Sequence, residues 1–256
     1  MIGRLRNVVL DAPDIKRLAS FYGSLTGWPT GYADDEWIIL TTPDERRICF
    51  QSAPDHVPPR WPDPDYPQQF HLDLLTPDIE AAAARAVELG ATRLGGADYD
   101  DAAWVTLADP AGHPFDLCRR AEAGDGVSEP MGLFAVTIDT DDPETLGQFY
   151  GELLGMDKQY EGDPGVLISS DDGSVMFQRI ARYTPPQWPD PAHPQQFHLD
   201  VHVTDVDSAE KLALALGATR LPGEGENWRV YADPAGHPFC LVYDVNPVYD
   251  VKPDEA

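Results

Sequence analysis

The sequence has few cysteines and no long apolar run. Its three cysteines, Cys49, Cys118 and Cys240, are scattered and form no CxxC pair. An odd, scattered set argues against a disulfide framework and favours a reducing compartment, so we expect a cytoplasmic protein. No apolar run approaches the ~20 residues of a membrane span, and the N-terminus lacks the apolar core of a signal peptide.

Basic residues are also scarce. Eighteen lysines and arginines stand against 44 aspartates and glutamates, which gives a formal charge of −26. A surface of this sign repels phosphate backbones, so we expect no nucleic-acid partner. The sequence also contains no GxSxG, P-loop, GxGxxG or HExxH motif, and the chemistry that those motifs mark is therefore not expected.

The sequence is instead organised as a repeat. Three pairs of segments match, namely WPDPDYPQQFHLD (61–73) with WPDPAHPQQFHLD (188–200), LGATRL (89–94) with LGATRL (216–221), and ADPAGHPF (108–115) with ADPAGHPF (232–239). A small, polar stretch separates the two copies and is typical of a linker. We predict two homologous domains at 1–120 and 131–246, a linker at 121–130 and a tail at 247–256.

Each predicted domain divides into two similar halves. The first half begins with a strand at 6–11, and a helix follows that is capped by Asp14 and ends near Gly27. Three short strands complete the half. The second half repeats this order, with a helix that starts after Asp78, and the C-terminal domain follows the same plan. The predicted fold is α+β, with four βαβββ units in two domains.

This order of elements, together with FHLD, the LGA that ends the helix and DPAGHPF before the last strand, resembles the vicinal oxygen chelate superfamily. That superfamily includes glyoxalase I, bleomycin-resistance proteins and extradiol dioxygenases. The resemblance covers essentially the whole chain and implies two glyoxalase-like cupped-sheet domains in tandem. It implies pseudo-symmetric pairing of the two domains, and it leaves a homodimer open. Activity does not follow, because one fold carries many chemistries.

The resemblance also implies where a metal ion would bind. Metal-dependent members place ligands on the first strand of each unit and on the last strand of a domain. In the N-terminal domain these positions hold Asn7, His71 and Asp116. Asp73 shares the strand face of His71, because alternate strand residues point the same way. A divalent metal such as Zn, Fe, Ni or Mn would suit these donors.

The corresponding positions of the C-terminal domain are Ala135, His198 and Cys240. Alanine coordinates nothing, and cysteine suits zinc better than redox iron. Asp200 lies two residues after His198 and shares its face. Neither domain presents the full ligand set, so no cofactor is predicted with certainty.

A simpler interpretation gives His71 and His198 a structural role in place of a metal-binding one. Each histidine would then be held by its neighbouring aspartate or by Gln51 and Gln178. Three tryptophans on strands, Trp37, Trp104 and Trp228, are expected to line the cups and to stack on a flat or cationic ligand.

Three functions remain open on the sequence alone. The first is a protein that binds a small molecule in a cup without chemistry, as bleomycin-resistance proteins do. The second is a metal-dependent lyase, isomerase or dioxygenase with its site in the N-terminal domain. The third is a division of labour, in which one domain keeps a site and the other supports it.

Overall fold

A computed structural model describes residues 2–60, 63, 65–94, 103–120 and 131–244. The predicted linker at 121–130 and tail at 247–256 lie outside the described residues. Among these described residues the βαβββ order occurs four times, which confirms the predicted α+β fold of four βαβββ units.

In the part of the chain that the structure describes, each repeat contributes eight strands and two helices. The first repeat contains β1 (Gly3–Ala12), α1 (Ile15–Thr26), β2 (Thr30–Ala33), β3 (Trp37–Thr41), β4 (Arg47–Ser52), β5 (Phe70–Thr76), α2 (Ile79–Glu88), β6 (Thr92–Arg93), β7 (Trp104–Ala108) and β8 (Pro114–Arg119). The second repeat contains β9 (Gly132–Thr140), α3 (Pro143–Leu154), β10 (Asp157–Glu161), β11 (Gly165–Ser170), β12 (Gly173–Arg179), β13 (Phe197–Val203), α4 (Val206–Ala215), β14 (Thr219–Glu224), β15 (Trp228–Ala232) and β16 (Pro238–Val242).

The strands form two eight-stranded sheets, and each sheet combines one unit from each repeat. Sheet A has the order β14-β15-β16-β13-β1-β4-β3-β2, and sheet B has the order β10-β11-β12-β9-β5-β8-β7-β6. The antiparallel pairs β1–β13 and β5–β9 join the two repeats at the centre of each sheet. A sheet is therefore shared between the predicted domains.

The helices begin where the sequence predicts. Asp14, Asp78, Asp142 and Asp205 cap the four helices, and each side chain accepts a hydrogen bond from the backbone N–H three residues later. Such caps each contribute about 1 kcal/mol. Helix α1 ends at Thr26, and the cap residue Gly27 has a φ of 79°, in the left-handed region that glycine adopts without strain.

Strand alternation gives each sheet a helix-covered face and a polar face. Val8 and Leu10 of β1 belong to the main core, whereas the intervening Val9 belongs to a separate small cluster on the opposite face. Phe70 and Phe197, one from each repeat, stack with ring centroids 4.2 Å apart. The faces away from the main core are called cup A on sheet A and cup B on sheet B.

Candidate functional site

Each cup has a cluster of three side chains, on adjacent strands, that could bind a metal ion. In cup B the cluster is His71, Asp73 and Asp116, and in cup A it is His198, Asp200 and Cys240. In each cluster the potential ligand atoms all lie within 4.8 Å of one another. We call them cluster B and cluster A.

Cluster B comes from the parallel pair β5–β8, in which Asp73 lies directly opposite Asp116. His71 Nε2 is 3.5 Å from Asp73 Oδ1 and 3.7 Å from Asp116 Oδ2. These separations are long for hydrogen bonds. They lie within or just above the ~3.3–3.6 Å expected between two ligand atoms that are each about 2.0–2.2 Å from one tetrahedral ion.

The two carboxylates of cluster B are held by threonines. Thr137 donates to Asp73 over 2.5 Å, and Thr106 donates to Asp116 over 2.6 Å. In each carboxylate the other oxygen faces His71. Burial raises the pKa of Asp116, and the charge of Asp73 adds to this, while His71 and Thr106 oppose it. A cation between the two carboxylates would stabilise their charged forms.

Cluster A has a different set of donors. His198 Nε2 is 3.6 Å from Asp200 Oδ1, and Asn7 donates to Asp200 Oδ2 over 2.7 Å. Burial acts to lower the pKa of His198, but Asp200 and Asp11 outweigh it and raise the value above the ordinary one. Burial also raises the pKa of the Cys240 thiol, so this cysteine is a neutral group unless a cation binds it.

Asn7 is the one sequence-predicted ligand that the structure moves to the other cluster. The sequence placed it with His71 and Asp116, whereas the structure places it beside Asp200. The reason is the exchange of units between sheets, because β1 pairs with β13. Ala135 of β9 takes the matching place opposite Asp73 in cup B.

Two glutamines that the sequence analysis did not select contact the histidines. Gln68 Nε2 lies 3.1 Å from His71 Nδ1 and 3.0 Å from an oxygen of Asp139. Burial raises the pKa of Asp139 to about 6, and His71 and Gln68 oppose this rise. The verbatim PQQ before both FHLD segments was the available signal. The glutamine partners are Gln68 for His71 and Gln195 for His198, and not the predicted Gln51 and Gln178.

The same arrangement recurs in cup A. Gln195 Nε2 lies 2.9 Å from His198 Nδ1 and 2.9 Å from an oxygen of Asp11. Burial raises the pKa of Asp11, and His198 and Gln195 oppose this rise. In each cup the glutamine precedes a strand of one repeat and the aspartate lies on a strand of the other.

Cup A opens into a cavity of about 880 Å³. Three tryptophans line it, Trp37, Trp188 and Trp228, and so do the three residues of cluster A. Gln51 also lines this cavity, as do Arg6 and Arg47. Two of the predicted cup tryptophans and one predicted glutamine therefore share one cavity.

The matching positions in cup B are more open. Trp104 corresponds to Trp228 in the order of strands but is 58% exposed, against 37% for Trp228. Gln178 is half-buried on β12, opposite Gly165 of β11, whereas Gln51 lies opposite Trp37. The predicted ligand-lining residues thus divide between the two cups.

Comparisons with known proteins agree with this architecture. A family model for the glyoxalase-like domain matches residues 7–118 and 135–242. The chain therefore belongs to the glyoxalase-like domain family, and it contains two copies of the domain. No curated protein matches its sequence.

Solved structures show the same fold at low sequence identity. Glyoxalase I from Zea mays has a TM-score of 0.63 at 16% identity, over 94% of this chain and 92% of that one. A putative dioxygenase from Bacillus subtilis has a TM-score of 0.60 at 10% identity, over 96% and 86%. In the part of the chain that the structure describes, no helix is long and apolar enough to cross a membrane.

Proposed function

We propose that this protein binds a small, planar molecule in cup A. The observation that carries the proposal is the cavity of about 880 Å³ lined by Trp37, Trp188 and Trp228. Ligand sites in proteins are commonly ~300–1,000 Å³ with aromatic walls and a few polar groups. Here the tryptophans would stack on the ligand, and cluster A would contact its polar end.

The test is a tryptophan-fluorescence titration with a panel of planar aromatic compounds. Trp228→Ala should weaken binding, because it removes one wall of the cavity. Trp104→Ala is the matched control, since Trp104 occupies the corresponding place in cup B. Equal binding by wild type and Trp228→Ala, or equal losses in both variants, would contradict the assignment to cup A.

A second candidate function is supported by a separate observation, the ligand-atom spacing in cluster B. His71, Asp73 and Asp116 would hold a divalent metal and leave other positions open, as catalytic metal sites do. The bound metal would act as a Lewis acid toward a substrate oxygen. A lyase, isomerase or dioxygenase of the glyoxalase kind would use such a site.

Elemental analysis of protein purified without an affinity tag or chelator tests this second function. This second function predicts close to one metal ion per chain, lost in His71→Ala and retained in His198→Ala. Metal that is still bound in His71→Ala would show that the metal site lies outside cluster B. A metal-free wild type that also fails to take up added zinc would leave cluster B as a hydrogen-bonding group.

A further inference from the structure

The two histidines share one environment, although the cups differ around them. Each Nδ1 faces the side-chain amide nitrogen of a glutamine, Gln68 for His71 and Gln195 for His198. Each of these glutamines also faces a buried carboxylate from the other repeat. The other carboxylate oxygen of both Asp11 and Asp139 is buried without a hydrogen-bond partner.

This arrangement restricts where the histidine proton resides. An ionised carboxylate only accepts hydrogen bonds, so it requires the amide NH₂ and not the amide oxygen. The second hydrogen of that NH₂ then points at the histidine Nδ1, which must offer a lone pair. A neutral imidazole carries one proton, and this proton must therefore be on Nε2.

We propose that the Gln68–Asp139 and Gln195–Asp11 pairs hold His71 and His198 as the Nε2–H tautomer, so that each histidine presents a hydrogen-bond donor to its cup. Because His198 lines the cavity of cup A, a ligand there would carry an acceptor oxygen, such as a carbonyl. This last step rests on the proposed ligand-binding function, whereas the tautomer itself does not. The glutamines are thus positioning residues.

The Gln68–Asp139 and Gln195–Asp11 pairs also disfavour metal binding through the Nε2 of either histidine. A metal-bound histidine offers the Nε2 lone pair and donates its Nδ1–H to an acceptor. The glutamine would then have to rotate and present its amide oxygen to Nδ1, which would also turn that oxygen toward the carboxylate of Asp139 or Asp11. A glutamate in place of the glutamine has only acceptors and would favour the metal-binding tautomer.

The direct test is ¹⁵N NMR of the histidine rings at about pH 9, well above the ordinary histidine pKa of ~6.5. Wild type should show Nε2–H for both His71 and His198. Gln68→Glu should convert His71 to Nδ1–H and leave His198 unchanged, and Gln195→Glu should do the reverse. The unaffected histidine reports that the fold is intact. Nδ1–H in the wild type, or no change at the adjacent histidine, would overturn the proposal.

A second measurement covers the case in which a glutamate variant fails to fold. Gln68→Met keeps the length of the side chain and removes both the donor and the acceptor. His71 should then populate both tautomers, while His198 stays Nε2–H. Where Gln68→Glu does fold, its zinc affinity should be at least about tenfold higher than that of wild type, since outer hydrogen-bond partners change metal affinity 10–100-fold. An unchanged tautomer in Gln68→Met would contradict the proposal.

The acceptor requirement is tested with two ligands of one shape. 2-Acetylnaphthalene carries a carbonyl oxygen, and 2-ethylnaphthalene does not. The ketone should bind about fivefold tighter, as expected for one hydrogen bond. If neither compound binds while the ring spectra are as expected, the ligand proposal fails and the tautomer stands. Equal binding of both compounds would show that His198 donates no hydrogen bond to the ligand.

Discussion

Cup A and cup B are two versions of one site within a single chain. Both keep a histidine, an aspartate two residues later and a glutamine three residues earlier, in the shared sequence QQFHLD. Both also keep a buried aspartate on the paired strand, Asp11 or Asp139. The differences lie around this common set. Asn7 and Cys240 of cup A correspond in the order of strands to Ala135 and Asp116 of cup B.

The walls of the two cups differ more than cluster A and cluster B do. Trp37 of cup A corresponds to Gly165 of cup B, because each lies opposite the matching glutamine of the next strand. A Cβ at Gly165 would come 1.8 Å from the carbonyl oxygen of Phe177, so no larger residue fits there. Both cups therefore retain a histidine in contact with a glutamine, whereas the wall residues and the other potential metal ligands differ between the cups.

The largest expected effect comes from placing a side chain on the wall of cup B. Gly165→Ala should destabilise the protein by more than about 4 kcal/mol, because the new Cβ overlaps a backbone carbonyl that cannot rotate away. Urea unfolding measures this. Trp37→Ala at the matching position of sheet A is the control and should cost far less. Similar stability of wild type and Gly165→Ala would show that cup B tolerates a side chain at this position, as cup A does at Trp37.

The buried aspartate of cup B gives a pH-dependent prediction. The pKa of Asp139 is about 6 in the folded protein against an ordinary 3.8. The folded state therefore binds this proton more tightly than the unfolded state, and stability falls as pH rises from about 4 to about 6. The loss at pH 7 is about 3 kcal/mol for a shift of about two units.

Asp139→Asn removes this loss, because asparagine does not ionise. Urea unfolding should show similar stability of variant and wild type near pH 4, and a more stable variant near pH 7.5. Asp11→Asn provides the comparison in cup A, where the pKa shift has the same direction. A variant that is less stable at both pH values would contradict burial as the dominant cause.

The third effect concerns the difference between Asp116 and Cys240. Asp116→Ala should weaken zinc binding in cluster B by at least about 100-fold, because it removes a proposed ligand and even outer partners matter 10–100-fold. Isothermal titration with zinc measures this. Cys240→Asp gives cup A the three donor types of cup B, and its affinity for Mn²⁺, which prefers oxygen ligands, should rise toward that of cluster B. No rise in Cys240→Asp would show that donor type alone does not separate the cups.

The smallest effect concerns the aromatic wall. Trp37→Ala should weaken binding of a planar ligand by about tenfold, since one aromatic contact contributes ~0.5–1.5 kcal/mol beyond its buried area. Fluorescence titration, with Trp104→Ala as the control in cup B, measures this. Equal affinity of Trp37→Ala and wild type would remove this residue from the ligand site.

Much of the fold could be predicted from the sequence. Helix periodicity, the caps at Asp14 and Asp78 and the repeated FHLD and DPAGHPF segments predict the four βαβββ units. The partner of each unit could not be predicted, because β1 and β9 have similar lengths and polarity and either could pair with β5. The correct pairing moved Asn7 from His71 to Asp200.

The candidate site was predictable only in part, because some of its contacts are local and others depend on how the strands pair. The spacing of His71 and Asp73 places both side chains on one strand face, and this relation is local. Gln68 lies on the segment before β5, where no periodic pattern tells which way its side chain points. Its contact with Asp139 joins the two repeats and depends on the sheet pairing. Contacts of this kind become visible only in three dimensions.

The most direct test of ligand binding in cup A follows the ring nitrogens of both histidines during titration with 2-acetylnaphthalene. The wild-type spectrum contains an internal reference, because His71 and His198 have the same glutamine and aspartate neighbours. We predict that the His198 signals shift in a saturable manner and that the His71 signals stay in place. Saturable shifts at His71 with none at His198 would contradict the account.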